Sequence, residues 1–194
     1  LGEGGLTPQQ EQYVKRIRSA GYRMLDMIRT QLDIFKMEKG FYVLKKQPVD
    51  LVEILCGLEE ELGPQLRSGD VSIAMELDGR EVEGHESFVV LGEHQLLRAL
   101  FRNLVLNAVE ASRPGDHVFV SLDSADRKRV AVANSVPVPA EIRSRFFAKY
   151  VTKGKENGTG LGTYFAALIA RTHGADIAMH TGETSGTVVT VVFR

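Results

Sequence analysis

The stretch "GKENGTGLGTYFAALIARTHG", residues 154–174, contains five glycines and begins as a charged loop and ends as an apolar helix. The first turn of a helix has unpaired N–H groups and the positive end of the helix dipole, and glycines allow a ligand to come close to both. The stretch therefore predicts either a phosphate site at a helix start or a flexible glycine linker.

Two nucleotide-binding signatures do not fit this stretch. Gly158, Gly160 and Gly162 follow G-x-G-x-G, whereas the dinucleotide fingerprint is G-x-G-x-x-G and follows a buried strand directly. The pair Gly154-Lys155 is followed by Glu156, where a Walker loop needs Ser or Thr. The rest of the chain has to decide between the two readings.

The length and composition of the chain limit its domain organisation and its partners. With 194 residues, of which 43% are hydrophobic and 25% charged, the chain is expected to form one globular domain with an appendage. A net charge of −1 and a pI of about 6.6 favour neither nucleic acid nor direct membrane contact. The single cysteine, Cys56, cannot form an internal disulfide, and no apolar run or secretory signal is present, so we expect a cytoplasmic chain. Because it begins at Leu1 rather than Met, we expect a fragment of a longer protein.

The segment from Thr7 to Lys39 is predicted to be one long helix. Thr7 suits the N-cap, Pro8 the first helical position, and Gly40 the stop. Its apolar or small residues recur every three or four positions, as in a coiled-coil-like seam: Val14, Ile17, Gly21, Met24, Ile28, Leu32 and Phe35. Such a seam needs a partner helix, from upstream chain or from a second copy.

After the linker around Pro48, the pattern alternates between strands and helices. Strands are expected at 71–77, 87–92, 117–122, 129–134, 176–181 and 187–193, and helices at 50–65, 93–112, 140–148 and from the glycine loop to 173. This pattern predicts an α/β fold, a two-layer α+β sandwich with a mixed sheet packed on helices. The predicted domains are 1–46, the helix and linker, and 47–194, the sandwich.

The predicted helix 93–112 contains "LFRNLVLNAVEAS", residues 100–112. Asn103 and Asn107 are four residues apart, so both project from one face. Asparagine is a poor helix former, and an amide oxygen can ligate Mg²⁺ while a neighbouring amide contacts phosphates. The alternative is a pair of amides at the edge of the core, and this helix alone does not separate the two.

Five motifs in order resemble the boxes of the sensor histidine kinase catalytic domain. They are "LFRNLVLNAVEAS", "VAVANSVPVPAEI", "RFFAKYVTKG", "GTGLGTYFAALIARTHGADI" and "GTVVTVVF", similar to the N, G1, F, G2 and G3 boxes. The helix that precedes them resembles the second helix of the family's dimerisation and phosphotransfer domain. The resemblance covers nearly the whole chain and implies ATP and Mg²⁺ as cofactors.

The resemblance assigns roles to individual positions. Asn107 corresponds to the Mg²⁺ ligand, and Asn103 lies where related gyrase-type ATPases have the glutamate that activates water, so phosphoryl transfer is favoured over hydrolysis. Residues 139–157 correspond to the ATP lid, in which Lys153 can reach a phosphate and Phe146 and Phe147 dock the lid on the core. The implied cofactor-binding residues are Asn107, Asn134, Lys153, Gly158, Thr159, Gly160, Leu161, Gly162 and Thr187.

The G1 box departs from the family pattern. The family has D-x-G-x-G, whose aspartate accepts a hydrogen bond from the adenine amino group, whereas this chain has "ANSVPVP". Strand phase puts Asn134 in the place of the aspartate if one residue is deleted before Pro139. Alignment on Pro139 would put Ala133 there, which has no side-chain acceptor. We favour Asn134, whose amide oxygen can accept the same bond without charge assistance.

None of the five histidines lies on the 7–39 helix or matches the phosphoacceptor pattern H-[DE]-x-x-x-P. His85 comes nearest but lacks the proline. All five are expected to be structural or on the surface, and the phosphorylated histidine is expected upstream of Leu1.

The resemblance therefore implies a histidine protein kinase that passes the ATP γ-phosphoryl to a histidine and then to an aspartate of a response-regulator receiver domain. The implied assembly is a homodimer through the N-terminal helix. Two alternatives remain: a nucleotide-free interaction module with a degenerate G1 box, and an ATP-gated clamp ATPase of the same superfamily.

Overall fold

The computed structural model of the chain describes residues 7–153 and 160–194. The chain divides into two compact units, Leu1–Tyr42 and Val43–Arg194, and the boundary at 46/47 stays a prediction. The elements are α1 (Pro8–Glu38), β1 (Gln47–Asp50), α2 (Leu51–Gly69), β2 (Ser72–Leu77), β3 (Arg80–Glu81), β4 (Val89–Gly92), α3 (His94–Ala111), β5 (His117–Asp123), β6 (Arg129–Asn134), α4 (Ala140–Arg143), α5 (Gly162–Thr172), β7 (Asp176–Gly182) and β8 (Gly186–Val192).

The first unit is the long helix α1, as predicted. A capping box closes its start: the Gln10 N–H donates to Thr7 Oγ1 at 3.3 Å, and the Thr7 N–H donates to Gln10 Oε1 at 2.8 Å. Gly40 follows with a φ of +72°, a conformation that glycine adopts without strain. The predicted seam is open to solvent, with exposures of 47–71% for Val14, Ile17, Met24, Ile28, Leu32 and Phe35.

The second unit contains a six-stranded sheet in the order β3-β2-β5-β6-β8-β7. The pair β2–β5 is parallel and the others are antiparallel, so the sheet is mixed, as predicted. Strands β1 and β4 form a separate antiparallel pair. Alternate residues of the central strands are buried against the helices, which makes one face of the sheet the floor of the core: Val118, Val120, Leu122, Val130 and Val132.

Helices α2, α3 and α5 form the second layer. Helix α3 contributes the completely buried side chains Leu97, Leu100 and Phe101, and it packs against both other helices and β6. Across the α2–α3 contact, Glu61 accepts hydrogen bonds from Arg98 at 2.6 Å and Arg102 at 2.8 Å. The bond from Arg102, with that from Arg98, lowers the pKa of the Glu61 carboxyl. Helix α3 is thus fixed on both sides.

The structure corrects three local expectations. Residues 47–50, read as linker, form the short strand β1, in which Pro48 is tolerated because an edge strand can omit an N–H bond. Helix α2 continues beyond the expected end at Gln65 to Gly69, and its C-cap, Asp70, has a φ of +51°. Only 140–143 of the expected helix 140–148 is helical, and hydrogen-bonded turns replace the rest.

No helix in the described ranges combines the length and the apolar character that a bilayer crossing requires.

Candidate active site

A cavity of about 550 Å³ opens between α3, α5, the end of β6 and the segment 136–153. It brings together eight of the residues that the sequence singled out, although they come from five separate parts of the chain. They are Asn103, Asn107, Asn134, Lys153, Gly160, Leu161, Gly162 and Thr187. Gly158 and Thr159, also singled out, lie outside the described residues. The cavity is therefore the candidate active site.

Helix α3 supplies Asn103 and Asn107, and both side chains line the cavity. Asn103 Nδ2 donates to the Ala99 carbonyl at 2.7 Å, which fixes the amide along its own helix. Its Oδ1 then faces α5, where a Cβ at Gly162 would lie only 3.0 Å away. The absence of a side chain at Gly162 thus allows the close approach of the two helices. Glu110, one turn beyond Asn107, also lines the cavity.

Strand β6 ends at Asn134, which is only 8% exposed. Its Nδ2 is buried and has no hydrogen-bond partner within the described residues. Val130 and Val132 are buried on the same side of the strand, whereas Ala133 lies on the opposite face and does not line the cavity. Of the two positions left open by the sequence, Asn134 therefore lines the cavity and Ala133 does not.

The neighbouring strand β8 crowds the Asn134 backbone. A Cβ at Gly186 would lie 2.1 Å from the Asn134 carbonyl oxygen, and Gly186 has a φ of +68°. This glycine begins the motif "GTVVTVVF", but the sequence did not show why a glycine is needed there. The structure gives the reason, because only a residue without a side chain fits at this position.

Thr187, the next residue of β8, is 5% exposed, and its hydroxyl donates to the Val136 carbonyl at 2.8 Å. Thr181 of β7 supports the same turn, because its Oγ1 accepts the Val138 N–H at 2.9 Å. These two threonines hold residues 136–138 as an apolar wall of the cavity. The sequence had pointed to Thr187 but not to Thr181.

A backbone hydrogen bond joins Tyr150 to Gly160 beside the cavity. The Tyr150 N–H donates to the Gly160 carbonyl at 2.9 Å, and both residues have positive φ, +62° and +64°. A Cβ at Gly160 would lie 2.6 Å from the Tyr150 carbonyl carbon, so this position admits only glycine. Thr163, which sequence reasoning missed, adds a second tie, because its hydroxyl donates to the Phe146 carbonyl at 2.7 Å.

Phe146 is buried and meets Phe147 edge-to-face at 5.0 Å between ring centroids. Phe146 thus docks this segment on the core, as expected from the sequence.

Helix α5 starts at the inner end of the cavity. Leu161 occupies its N-cap, and the Leu161 side chain makes no capping hydrogen bond. The N–H groups of the first turn and the positive end of the helix dipole therefore suit an anion. Lys153 lines the same region, but its Nζ donates to Glu141 Oε1 at 2.5 Å, and this bond lowers the pKa of the Glu141 carboxyl.

The histidines lie outside the cavity. His173 is buried at the end of α5, where Nε2 accepts the Glu93 N–H at 3.1 Å and Nδ1 bonds the Ile169 carbonyl at 2.9 Å. Burial lowers the pKa of His173, which keeps the ring neutral and able to accept from Glu93. Within residues 7–153 and 160–194, no group of three or more His, Cys, Asp or Glu side chains is placed to hold a metal ion.

Residues 92–194, just over half of the chain, match the family described as "Histidine kinase-, DNA gyrase B-, and HSP90-like ATPase". The chain belongs to this family.

Individual relatives agree with the match. The chain is 26% identical over 196 residues to the circadian input-output histidine kinase CikA of Synechococcus elongatus, a match that covers 97% of this chain and 25% of CikA. The chain thus spans about a quarter of the length of that relative.

Solved structures show the same fold. Full-length ShkA in complex with AMPPNP is similar with a TM-score of 0.70 and 22% identity, over 98% of this chain and 40% of ShkA. The histidine kinase ThkA in complex with the response regulator TrrA is similar with a TM-score of 0.64 and 20% identity, over 98% of this chain and 52% of that chain.

Proposed function

We propose that this chain is the ATP-binding catalytic region of a sensor histidine kinase, which transfers the ATP γ-phosphoryl to a histidine on another segment for relay to a response-regulator aspartate. The observation that carries the proposal is the convergence of Asn103, Asn107, Asn134 and the start of α5 on one cavity. Together these groups line one cavity with side-chain amides, apolar walls and the start of a helix, which suit the base and the phosphates of a nucleotide.

The base end is the slot around Asn134. Its walls are apolar, formed by residues 136–138, Ile142 and Phe146, and Asn134 contributes a buried Nδ2 without a partner within the described residues. A buried polar group of this kind is stabilised by a ligand that completes its hydrogen bonds. The edge of a purine ring fits such a slot.

The phosphate end is the start of α5. Gly160 and Gly162 leave the backbone open, the helix dipole favours negative charge, and Lys153 lies at the rim. Release of Lys153 from Glu141 would add its charge to the phosphates.

The donor set also fits Mg²⁺ in the way that nucleotide enzymes hold it, through one or two protein oxygens with phosphate oxygens and water. Asn107 would hold the ion, with Glu110 the nearest carboxylate along α3 that lines the cavity. When bound, Mg²⁺ would neutralise charge on the phosphates.

Transfer is favoured over hydrolysis by the nature of Asn103. An amide cannot take a proton from water, and its Nδ2 is already engaged with Ala99. Positioning of the phosphoryl group toward an acceptor is then the main contribution of the protein.

The partners follow from α1 and from the relatives. The exposed apolar seam of α1 supports a homodimer in which two such helices bury their seams together. A receiver domain is supported by the similarity to ThkA, which has been solved with a response regulator.

The test is a calorimetric titration of this chain with Mg·ATP. Saturable heat is expected, without steady release of phosphate. Absence of heat would favour a nucleotide-free interaction module, and steady phosphate release would favour an ATP-gated clamp.

A further inference from the structure

Asn134 lines the base end of the cavity, and its Nδ2 makes no hydrogen bond to a residue that the structure describes. Ser135, the next residue, donates its hydroxyl to Asp116 Oδ2 at 2.6 Å. Thr187, its partner across β8, donates its hydroxyl to Val136. Both hydroxyl protons are therefore used within the protein, and the Asn134 amide is left to read the ligand.

An amide offers a donor and an acceptor side by side, whereas a carboxylate only accepts. The edge of a 6-aminopurine has a donor at N6 and an acceptor at N1. The edge of a 6-oxopurine has the reverse, an acceptor at O6 and a donor at N1. A half-turn about the last side-chain torsion exchanges the two amide atoms, because nitrogen and oxygen are nearly equal in size. In one orientation Oδ1 can accept from the N6 amino group, and in the other Nδ2 can donate to O6.

Nothing in the described surroundings selects one of these two orientations. Nδ2 is buried without a partner, and the adjacent wall from Val136 to Val138 is apolar. A site of this kind discriminates weakly between ligands that each satisfy its polar group, and strongly against one that leaves the group unpaired.

We propose that the cavity accepts nucleoside triphosphates of both purine types, 6-amino and 6-oxo, because Asn134 reads the base edge with an amide. This inference rests on the proposed function and specifies which nucleotides the site accepts. A carboxylate at the same position would repel O6 and restrict the site to the 6-amino type.

The experiment compares the affinities of ATP and inosine triphosphate for the chain, each with Mg²⁺. Inosine triphosphate has the 6-oxo edge without the 2-amino group of guanine, so it isolates the edge from ligand size. The two affinities are expected to agree within about tenfold, which is the scale of one well-made polar contact.

The decisive variant is Asn134→Asp, which keeps the shape of the side chain. It should retain ATP and lose inosine triphosphate, so that the preference for ATP rises by about tenfold or more. Gln65→Glu, which adds the same charge at an exposed position outside the cavity, should leave the ratio unchanged.

Two outcomes would overturn the inference while leaving the nucleotide site intact: an inosine triphosphate affinity more than a hundredfold below that of ATP in the unaltered chain, or an equal ratio in the chain and in Asn134→Asp. Failure of both nucleotides to bind the unaltered chain would overturn the proposed function and this inference together.

Discussion

Lys153 Nζ lies 2.5 Å from Glu141 Oε1, so the cation at the rim of the cavity is paired with a carboxylate of α4. Both side chains are substantially exposed, 49% for Lys153 and 66% for Glu141, and such pairs exchange readily for other partners. A nucleotide phosphate in the cavity would compete with Glu141 for the same ammonium group. Glu141 therefore opposes the use of Lys153 in binding.

Removal of the competing carboxylate should strengthen nucleotide binding. Glu141→Gln is expected to raise the affinity for Mg·ATP by about two- to fivefold at low salt, because an exposed ion pair is weak and screened. Calorimetry at two salt concentrations measures the effect. The matched control is Glu183→Gln, which removes a nearby carboxylate that pairs with Arg143 instead. A gain of the same size in both variants would point to general charge rather than to Lys153.

Asn107 is expected to act through the metal ion. Asn107→Ala should reduce nucleotide affinity by about tenfold in Mg²⁺, equivalent to about 1.4 kcal/mol, and by much less in EDTA, because only the metal-bridged contact is lost. Parallel titrations in the two buffers measure the difference. Equal losses in both would make Asn107 a structural amide and place the metal elsewhere.

Asn134 should have opposite effects on binding and on stability. Asn134→Ala is expected to weaken ATP binding by about 1–3 kcal/mol, the cost of an unpaired buried polar group in the complex. Without nucleotide the same change removes a buried Nδ2 that has no described partner, so the melting temperature should be unchanged or higher. Calorimetry and thermal unfolding followed by circular dichroism give the two values. An ATP affinity within twofold of the unaltered chain would contradict the assignment of Asn134 to the base.

His173 gives the domain a predictable acid sensitivity. Burial lowers its pKa in the folded chain below the ordinary value of about 6.5, so the unfolded chain binds a proton more readily. The contribution of the neutral His173 to the free energy of unfolding should therefore be complete above about pH 6.5. It should decrease as the pH falls below that value toward the folded pKa. Urea unfolding at about pH 7.5 and about pH 5.5 measures the loss.

Two variants separate His173 from the other groups that titrate in this range. His173→Gln, which removes the titrating ring, should reduce the difference between the two pH values. His180→Gln, at an exposed position of β7, should retain it. If the two variants lose equal amounts of stability between the two pH values, another group is responsible.

The sequence predicted most of the fold because periodicity and capping are local properties. The long amphipathic α1, the helix around Asn103 and the hairpin β5–β6 each carry their own signal and were confirmed. Strand β1 could not be read in this way, because its four residues include Pro48 and gain their structure only from pairing with β4. The extension of α2 beyond Gln65 likewise depends on burial of Leu66 against the core.

The candidate site was predictable in its members but not in its internal contacts. Eight of the residues chosen from motifs line one cavity. The pairing of Lys153 with Glu141 depends on the backbone conformation of the residues between them. The crowding of Asn134 by Gly186 joins two strands that lie far apart in the chain. No pattern in a single sequence encodes such contacts, whereas each motif keeps its residue types and spacing within a short stretch.

The chain of 194 residues should bind Mg·ATP without labelling itself, because residues 7–39 contain no histidine and the five histidines present lie outside the cavity. A longer subunit that carries the phosphoacceptor box on a preceding helix should restore labelling, since catalysis of this kind consists mainly of positioning the γ-phosphoryl group in line with an acceptor. The assay is radiolabelled ATP with the chain alone and with the longer subunit, and the label should be acid-labile and alkali-stable, as a phosphoramidate is. Acid-labile label on the chain alone would contradict the prediction. His85, exposed and beside Glu83 and Glu86, would then be tested first by His85→Ala.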